Sequence, residues 1–367
     1  MSVNNGEIKM KMINIKKILV IGMFVCVMML TACSGNATKN GDKIKVVCTL
    51  FPQYDWAREI IGDKKNVELV LLVENGNDLH SFQPTAEDII TISNCDMFIY
   101  GGGVSDKWVE DTLKQATNED MIVINMLDVI GNNAKKEEVV EGMEEHDHEH
   151  EHEHDDGEHS EDAGDEVHTV DVDDQNWHNE NEHYFDPTGY DEHIWLSITN
   201  AKLVCAEISD GLCKLDADNS SSYQNNLNMY NEKLDELDGR YETMVSNANL
   251  DTILVADRFP FRYLTSEYGI NYYAAFVGCS SETEASFETV TFLSKKVDEL
   301  GLNYIIVVDG STQDVAKTVI ESTSAKSQSI IVLDSMQAVS MNRINNGETY
   351  LTIMENNLTV LEQVLNN

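Results

Sequence analysis

From residue 43 onward, short apolar runs alternate with stretches whose apolar positions recur every three or four residues. Short runs bounded by turn residues predict buried strands, and the longer period predicts amphipathic helices. Strands are expected at 43–50, centred on Val46 and Val47, and at 67–73, 97–100 and 121–126. Helices are expected between them: one over 54–61, stopped by Gly62; one over 85–93, with Ala86, Ile89, Ile90 and Ser93 sharing a face; and one over 109–116. Strands that alternate with helices imply parallel pairing, with helices over both faces of the sheet.

The second half repeats this style. Strands are expected at 251–256, 272–277, 305–308 and 330–333, and helices at 261–268, 286–300, 315–322 and 349–365. The helix over 286–300 is expected to bury Phe287, Val290, Leu293, Val297 and Leu300. Between the halves lie a helix over 191–212, with Ile194, Ile198, Leu203 and Ile208 apolar, and a clearer one. In the latter, Tyr223, Leu227, Tyr230, Leu234, Leu237, Tyr241 and Met244 recur at alternating steps of four and three. At 1.5 Å per residue that seam is about 30 Å long. No further heptads follow, so the seam belongs to a long helix packed along its own protein rather than to a coiled coil. The fold class is therefore α/β, two lobes with parallel sheets joined by one long helix. The expected division is 43–221, a linking helix over 222–247, and 248–367.

The first 42 residues read differently. Lys9, Lys11, Lys16 and Lys17 precede an apolar run over 18–30, followed by Leu30-Thr31-Ala32-Cys33. A basic region, a short apolar region and small residues make a secretory signal peptide, with Met10 or Met12 as alternative starts. The cysteine after Leu-Thr-Ala resembles a bacterial lipoprotein box, so Cys33 is the expected lipid anchor and residues 34–42 a tether. The expected location is the outer face of the cell membrane. Of the seven cysteines, Cys48, Cys95, Cys205, Cys213 and Cys279 remain in the mature chain. They show no zinc-ribbon spacing and their odd count argues against a disulfide framework. Most are expected as buried small apolar residues, and Cys279, within Gly278-Cys279-Ser280-Ser281-Glu282, as a buried thiol rather than a soft ligand.

Charge and histidine change the picture most. The formal net charge is −40, and residues 135–186 contribute half of it, with 22 acids against two lysines. Nucleic acid is an unfavourable partner for such a chain, and a cation a favourable one. Nine of eleven histidines lie between His146 and His183. His146, His148, His150, His152 and His154 alternate with acids, and His159 follows. Such a tract is a compositional signal for divalent metal, held on a soft acidic loop. His80 and His193 instead sit in ordered-looking sequence. His80 follows the second strand, and open α/β sheets bind ligands beyond the carboxyl ends of their strands. Gly101-Gly102-Gly103 lacks the spacing of a phosphate loop and reads as a turn allowing close backbone approach.

Five short motifs occur in order: Phe51-Pro52-Gln53-Tyr54-Asp55, His80-Ser81-Phe82-Gln83-Pro84-Thr85, Asp191-Glu192-His193-Ile194-Trp195-Leu196, Phe261-Arg262-Tyr263-Leu264 with Tyr268-Gly269, and Leu333-Asp334-Ser335. Together they resemble the metal-binding lipoproteins that serve zinc and manganese ABC transporters, from Lys43 to the C-terminus. The resemblance implies two lobes bridged by a rigid helix, with the metal between them and an acidic histidine-rich loop before the second ligand, as in zinc members. It implies His80 and His193 as ligands and Asp334 as a carboxylate ligand from the second lobe. Where the family has a histidine or glutamate, this chain has Arg258, which has no free lone pair. Asp257, a loop histidine or water are the substitutes; alternatively Arg258 pairs with Asp334 and the second lobe gives no ligand.

The implied function is capture of Zn2+ and delivery to an ABC permease by a monomeric, lipid-anchored binding protein. Manganese in place of zinc, and a surface metal buffer or adhesin, are the alternatives. A secreted zinc hydrolase is disfavoured, because no His-Glu-x-x-His and no base beside the two histidines is present.

Overall fold

The computed structural model describes residues 43–74, 76, 79–143, 189–280 and 284–366. Four parallel strands form the first sheet: β1 (Ile44–Cys48), β2 (Val67–Leu71), β3 (Met97–Tyr100) and β4 (Ile122–Asn125), in the order β2-β1-β3-β4. The second sheet has the same order, β6-β5-β7-β8, from β5 (Thr252–Phe259), β6 (Asn271–Val277), β7 (Tyr304–Val308) and β8 (Ser329–Leu333). The strands are short apolar runs because parallel sheets covered on both faces bury alternate side chains on each. Val46, Val47 and Cys48 are wholly inaccessible, as are Ile305, Ile306 and Val307.

Helix α1 (Phe51–Ile61) starts with Pro52 in its first turn, where the missing N–H costs nothing. It ends at Gly62, whose φ of 63° suits glycine. Helices α2 (Ala86–Ser93), α3 (Trp108–Lys114) and α4 (Met126–Ile130) complete the connections of the first sheet. On α2 the buried residues are Ile92 and Ser93, and Ile90, expected inside, is 64% exposed. With only eight residues, its inner face is set by where the Thr85–Asp88 capping box fixes the first turn.

The expected helix over 191–212 begins late. Residues 191–196 stay irregular, with one 3-10 turn at Ile194–Leu196, and α5 runs from Ile198 to Leu215. The Asp191 carboxylate accepts from the His193 N–H at 2.8 Å, a local turn that competes with helix. Ser197 then caps Asn200, and Glu267 of the second lobe accepts from the N–H groups of Ile198 and Thr199 at 2.9 and 3.0 Å. Tertiary partners for the free N–H groups thus fix the helix start.

The long helix α6 (Ser220–Asn247) has 28 residues. Its buried residues are Tyr223, Tyr230, Leu234, Leu237, Tyr241 and Met244, the seam read from the sequence apart from Leu227, which is only partly buried. It packs on α1 and α5 of the first lobe and on α7 (Arg262–Tyr268) and α11 (Tyr350–Leu365) of the second. Between these lie α8 (Phe287–Leu300), α9 (Asp314–Ser322) and α10 (Met341–Asn345). On α8, Val290, Leu293 and Val297 are buried as expected, but Phe287 is 87% exposed and Leu300 half-exposed. They are the first and last residues of the helix.

One apolar core runs through both lobes, from Val46 and Trp56 through Tyr230 to Val255 and Leu361. Polar cross-links reinforce it. The Tyr350 N–H donates to the Asp55 carboxylate at 2.8 Å, and the Tyr350 hydroxyl donates to the Trp195 carbonyl at 2.7 Å. Burial raises the Asp55 carboxyl from 3.8 to about 6, with Arg58 working against the shift. A raised folded value means this group favours folding below about pH 4 and loses that contribution as pH rises through about 6. Asp55→Asn should therefore flatten the stability profile there, by about 3 kcal/mol relative to the parent. Urea unfolding at pH 4 and pH 7 checks this.

Candidate metal site

His80 lies in a short 3-10 turn, Leu79–Ser81, beyond the carboxyl end of β2, and His193 in the irregular loop before α5. Their ring centroids are 5.6 Å apart. His193 is wholly buried and His80 nearly so. Each ring is tied back through Nδ1. His80 Nδ1 is 2.8 Å from Ser105 Oγ and 3.7 Å from Glu192 Oε2, and His193 Nδ1 is 3.0 Å from Asp191 Oδ1. Such outer partners fix ring orientation and favour a proton on Nδ1, which puts the acceptor lone pair on Nε2.

Both Nε2 atoms face one group. The carboxamide nitrogen of Gln337 hydrogen-bonds His193 Nε2 and lies 3.1 Å from His80 Nε2. An NH2 group has one hydrogen for each imidazole, so it occupies the point on which the two lone pairs converge. A cation there would meet the same two lone pairs. Cys279 stands beside them: one donor atom from each of His80, His193 and Cys279 lies within 4.8 Å of the others. Cys279 follows β6, where Gly278 passes so close that a Cβ would be 3.0 Å from His193 Cε1 and 2.9 Å from the Phe259 carbonyl. A side chain at 278 would push the cysteine away. Cys279 was expected as a buried thiol only, and the tertiary fold brings it to the histidines instead.

Acids surround the three donors. Glu137 lies close enough to raise the Cys279 thiol, and the Glu192 carboxylate accepts from the Ser105 N–H at 2.7 Å. Asp191 Oδ2, Glu192 Oε2 and Glu137 Oε1 are buried with no hydrogen-bond partner among the described residues. Burial raises Asp191 to about 8 and Glu192 and Glu137 to about 7. Burial, with the neighbouring acids adding to it, also raises the Cys279 thiol. A divalent ion between the imidazoles would favour the ionised form of these buried acids and offset their burial. The glycine turn makes room for one of them. A Cβ at Gly103 would fall 2.2 Å from Glu192 Cγ, and the N–H groups of Gly101 and Gly102 cap Asp106 at 2.8 and 3.0 Å.

The other expected ligands do not join this cluster. Asp334 Oδ2 is ion-paired with Arg343 at 2.5 Å, and its Oδ1 accepts from the Met336 N–H at 2.8 Å. Its carboxylate shapes the loop after β8 and leaves Gln337, three residues on, facing the histidines. The arginine on Asp334 is thus Arg343, not Arg258. Asp257 Oδ1 accepts from the Arg258 N–H at 2.8 Å, beside a register shift in β5. His146, His148, His150, His152, His154, His159 and Cys33 lie outside the described residues. The start of the acidic segment is described and docked: Glu138 pairs with Arg262, and the Lys135 N–H donates to the Tyr263 hydroxyl at 3.0 Å.

A family model described as "Zinc-uptake complex component A periplasmic" matches residues 46–364. The chain belongs to that family. It is 29% identical over 323 residues to "Zinc-binding protein AdcA" of Streptococcus pyogenes, covering 87% of this chain and 55% of the relative. The chain thus spans about half the length of the first curated relatives it matches. It is also 29% identical over 352 residues to "High-affinity zinc uptake system protein ZnuA" of Bacillus subtilis, covering 94% and 97%. Among solved structures, the Zn(II)-bound ZnuA-like domain of Streptococcus pneumoniae AdcA superposes with a TM-score of 0.63 at 22% identity, covering 89% of this chain and all of that one. The matching model describes a component of a zinc-uptake complex, and the Bacillus subtilis relative is named for zinc uptake.

Proposed function

We propose that this chain is the extracytoplasmic substrate-binding component of a zinc uptake system, taking up Zn2+ between its lobes and passing it to an ABC permease. The observation that carries this reading is the pair of imidazoles, each held through Nδ1, with Nε2 atoms converging on one point amid unsatisfied buried carboxylates. The relatives named as zinc-binding and zinc-uptake proteins support the choice of metal. His80 and His193 are the imidazole ligands in this reading. Lipid attachment at Cys33 and a monomeric working form belong to it, as does the division into lobes at 43–221 and 248–367 joined over 222–247.

The histidine tract takes the role of a collector. Chelation that has to order chain costs about 1–2 kcal/mol per residue fixed, whereas the two cleft imidazoles are already held through Nδ1. Deleting residues 145–159 should lower zinc stoichiometry and uptake at scarce metal while leaving one tight site within a few-fold of its affinity. Loss of imidazole binding near pH 6.5 should fade the weak sites first. Metal analysis and competitive titration of the purified parent and deletion proteins test both roles. A deletion protein with no tight zinc would make the tract the main ligand source and overturn the cleft reading.

A further inference from the structure

We propose that the Cys279 thiolate is the third metal ligand and the residue that sets this site for zinc over manganese. The inference rests on the cleft reading above and goes beyond it in naming the donor that decides selectivity. Two imidazoles already lean toward zinc, and the anionic donor sets how far: a hard carboxylate draws the site back toward manganese, a thiolate does not. Asp334 is committed to Arg343 and the Met336 N–H. Among the described residues, the titratable side chain whose donor atom joins the two histidines is Cys279. A soft thiolate suits zinc, and manganese takes hard carboxylate, carbonyl and water oxygens.

The surroundings are built to present that sulfur. Gly278 admits the backbone against His193, and the turn is closed by the Ser280 N–H on the Val277 carbonyl at 3.2 Å, which leaves the sulfur within 4.8 Å of both imidazole donors. On metal entry the S–H bond breaks, its electron pair passes to zinc, and the proton leaves to the buffer, one per ion bound. The Gln337 NH2 group has no lone pair for the ion and gives up its place between the rings. The carboxamide oxygen, whose nearest partner is Ser335 Oγ at 3.3 Å, is the neutral donor at hand for the fourth position.

X-ray absorption on the zinc-loaded full chain tests the ligand directly. One sulfur neighbour at about 2.3 Å is expected in the parent and should vanish in Cys279→Ser. Competitive titration of the same proteins should show zinc affinity falling at least about tenfold and manganese affinity changing less than about threefold. Cys279→Ala should behave alike, and Cys213→Ser, a thiol away from the site, should match the parent. Circular dichroism of the metal-free variants separates loss of ligand from loss of fold. A zinc shell of nitrogen and oxygen only, or an unchanged zinc-to-manganese ratio in Cys279→Ser, overturns the proposal. If His80→Ala and His193→Ala also leave zinc binding intact, the cleft reading itself fails. If they abolish it while sulfur is absent, only the role of Cys279 fails.

Discussion

Alanine at His193 should lower zinc affinity at least about a hundredfold, ~2.7 kcal/mol, and alanine at His80 at least about tenfold, ~1.4 kcal/mol. A site with so few donors has no spare one of equal quality. The two residues differ in what their loss leaves behind. His193 is wholly buried, and removing it takes from Asp191 Oδ1 its side-chain partner at 3.0 Å, leaving only the backbone N–H of residue 193. A buried carboxylate that loses a partner costs further free energy. His80 is slightly exposed and leans on Ser105, so water can fill part of its place. Titration against a chromophoric chelator reads both variants. Unchanged affinity in the two would move the tight site out of the cleft and into the histidine tract.

The second large effect is on the fold. Trp195→Ala should destabilise the metal-free chain by about 3–5 kcal/mol in urea unfolding. Trp195 is wholly buried in the shared core and stands edge-on to His193 with centroids 5.5 Å apart. Its indole N–H donates to the Ser335 carbonyl at 2.8 Å, and its own carbonyl accepts from Tyr350. It therefore ties the loop carrying His193 to the loop carrying Gln337. Trp195→Phe keeps most of the ring volume but leaves the Ser335 carbonyl unsatisfied, at about 1–3 kcal/mol. A Phe variant as stable as the parent would show that this hydrogen bond contributes nothing net.

The architecture was legible because its signals are local. Short apolar runs separated by amphipathic periods gave eight strands in place, and the four-three spacing from Tyr223 to Met244 gave the long helix. Helix starts and exposed ends were less legible, as α5 and Phe287 show. There the decision belongs to capping groups from elsewhere in the chain, such as Glu267, and to how far a sheet extends under a helix.

For the site, the sequence by itself marked the two isolated histidines, since each stands in a motif with its own turn chemistry. It could not rank the remaining donors. Asp334 and Cys279 are both plausible ligands in one dimension, and nothing near either shows which will face the imidazoles. The tertiary structure places them differently through contacts distant in sequence. Arg343 pairs with Asp334, and Gly278 lets β6 end against His193, with Cys279 beside the imidazoles. Gln337 carried no signal at all, because a single amide gains its meaning only where two lone pairs, 113 residues apart in the chain, are made to converge on it. Local pattern sets which elements form. Which side chains meet beyond the strand ends is fixed by packing between lobes, where competing ion pairs and close backbone approach select among the donors.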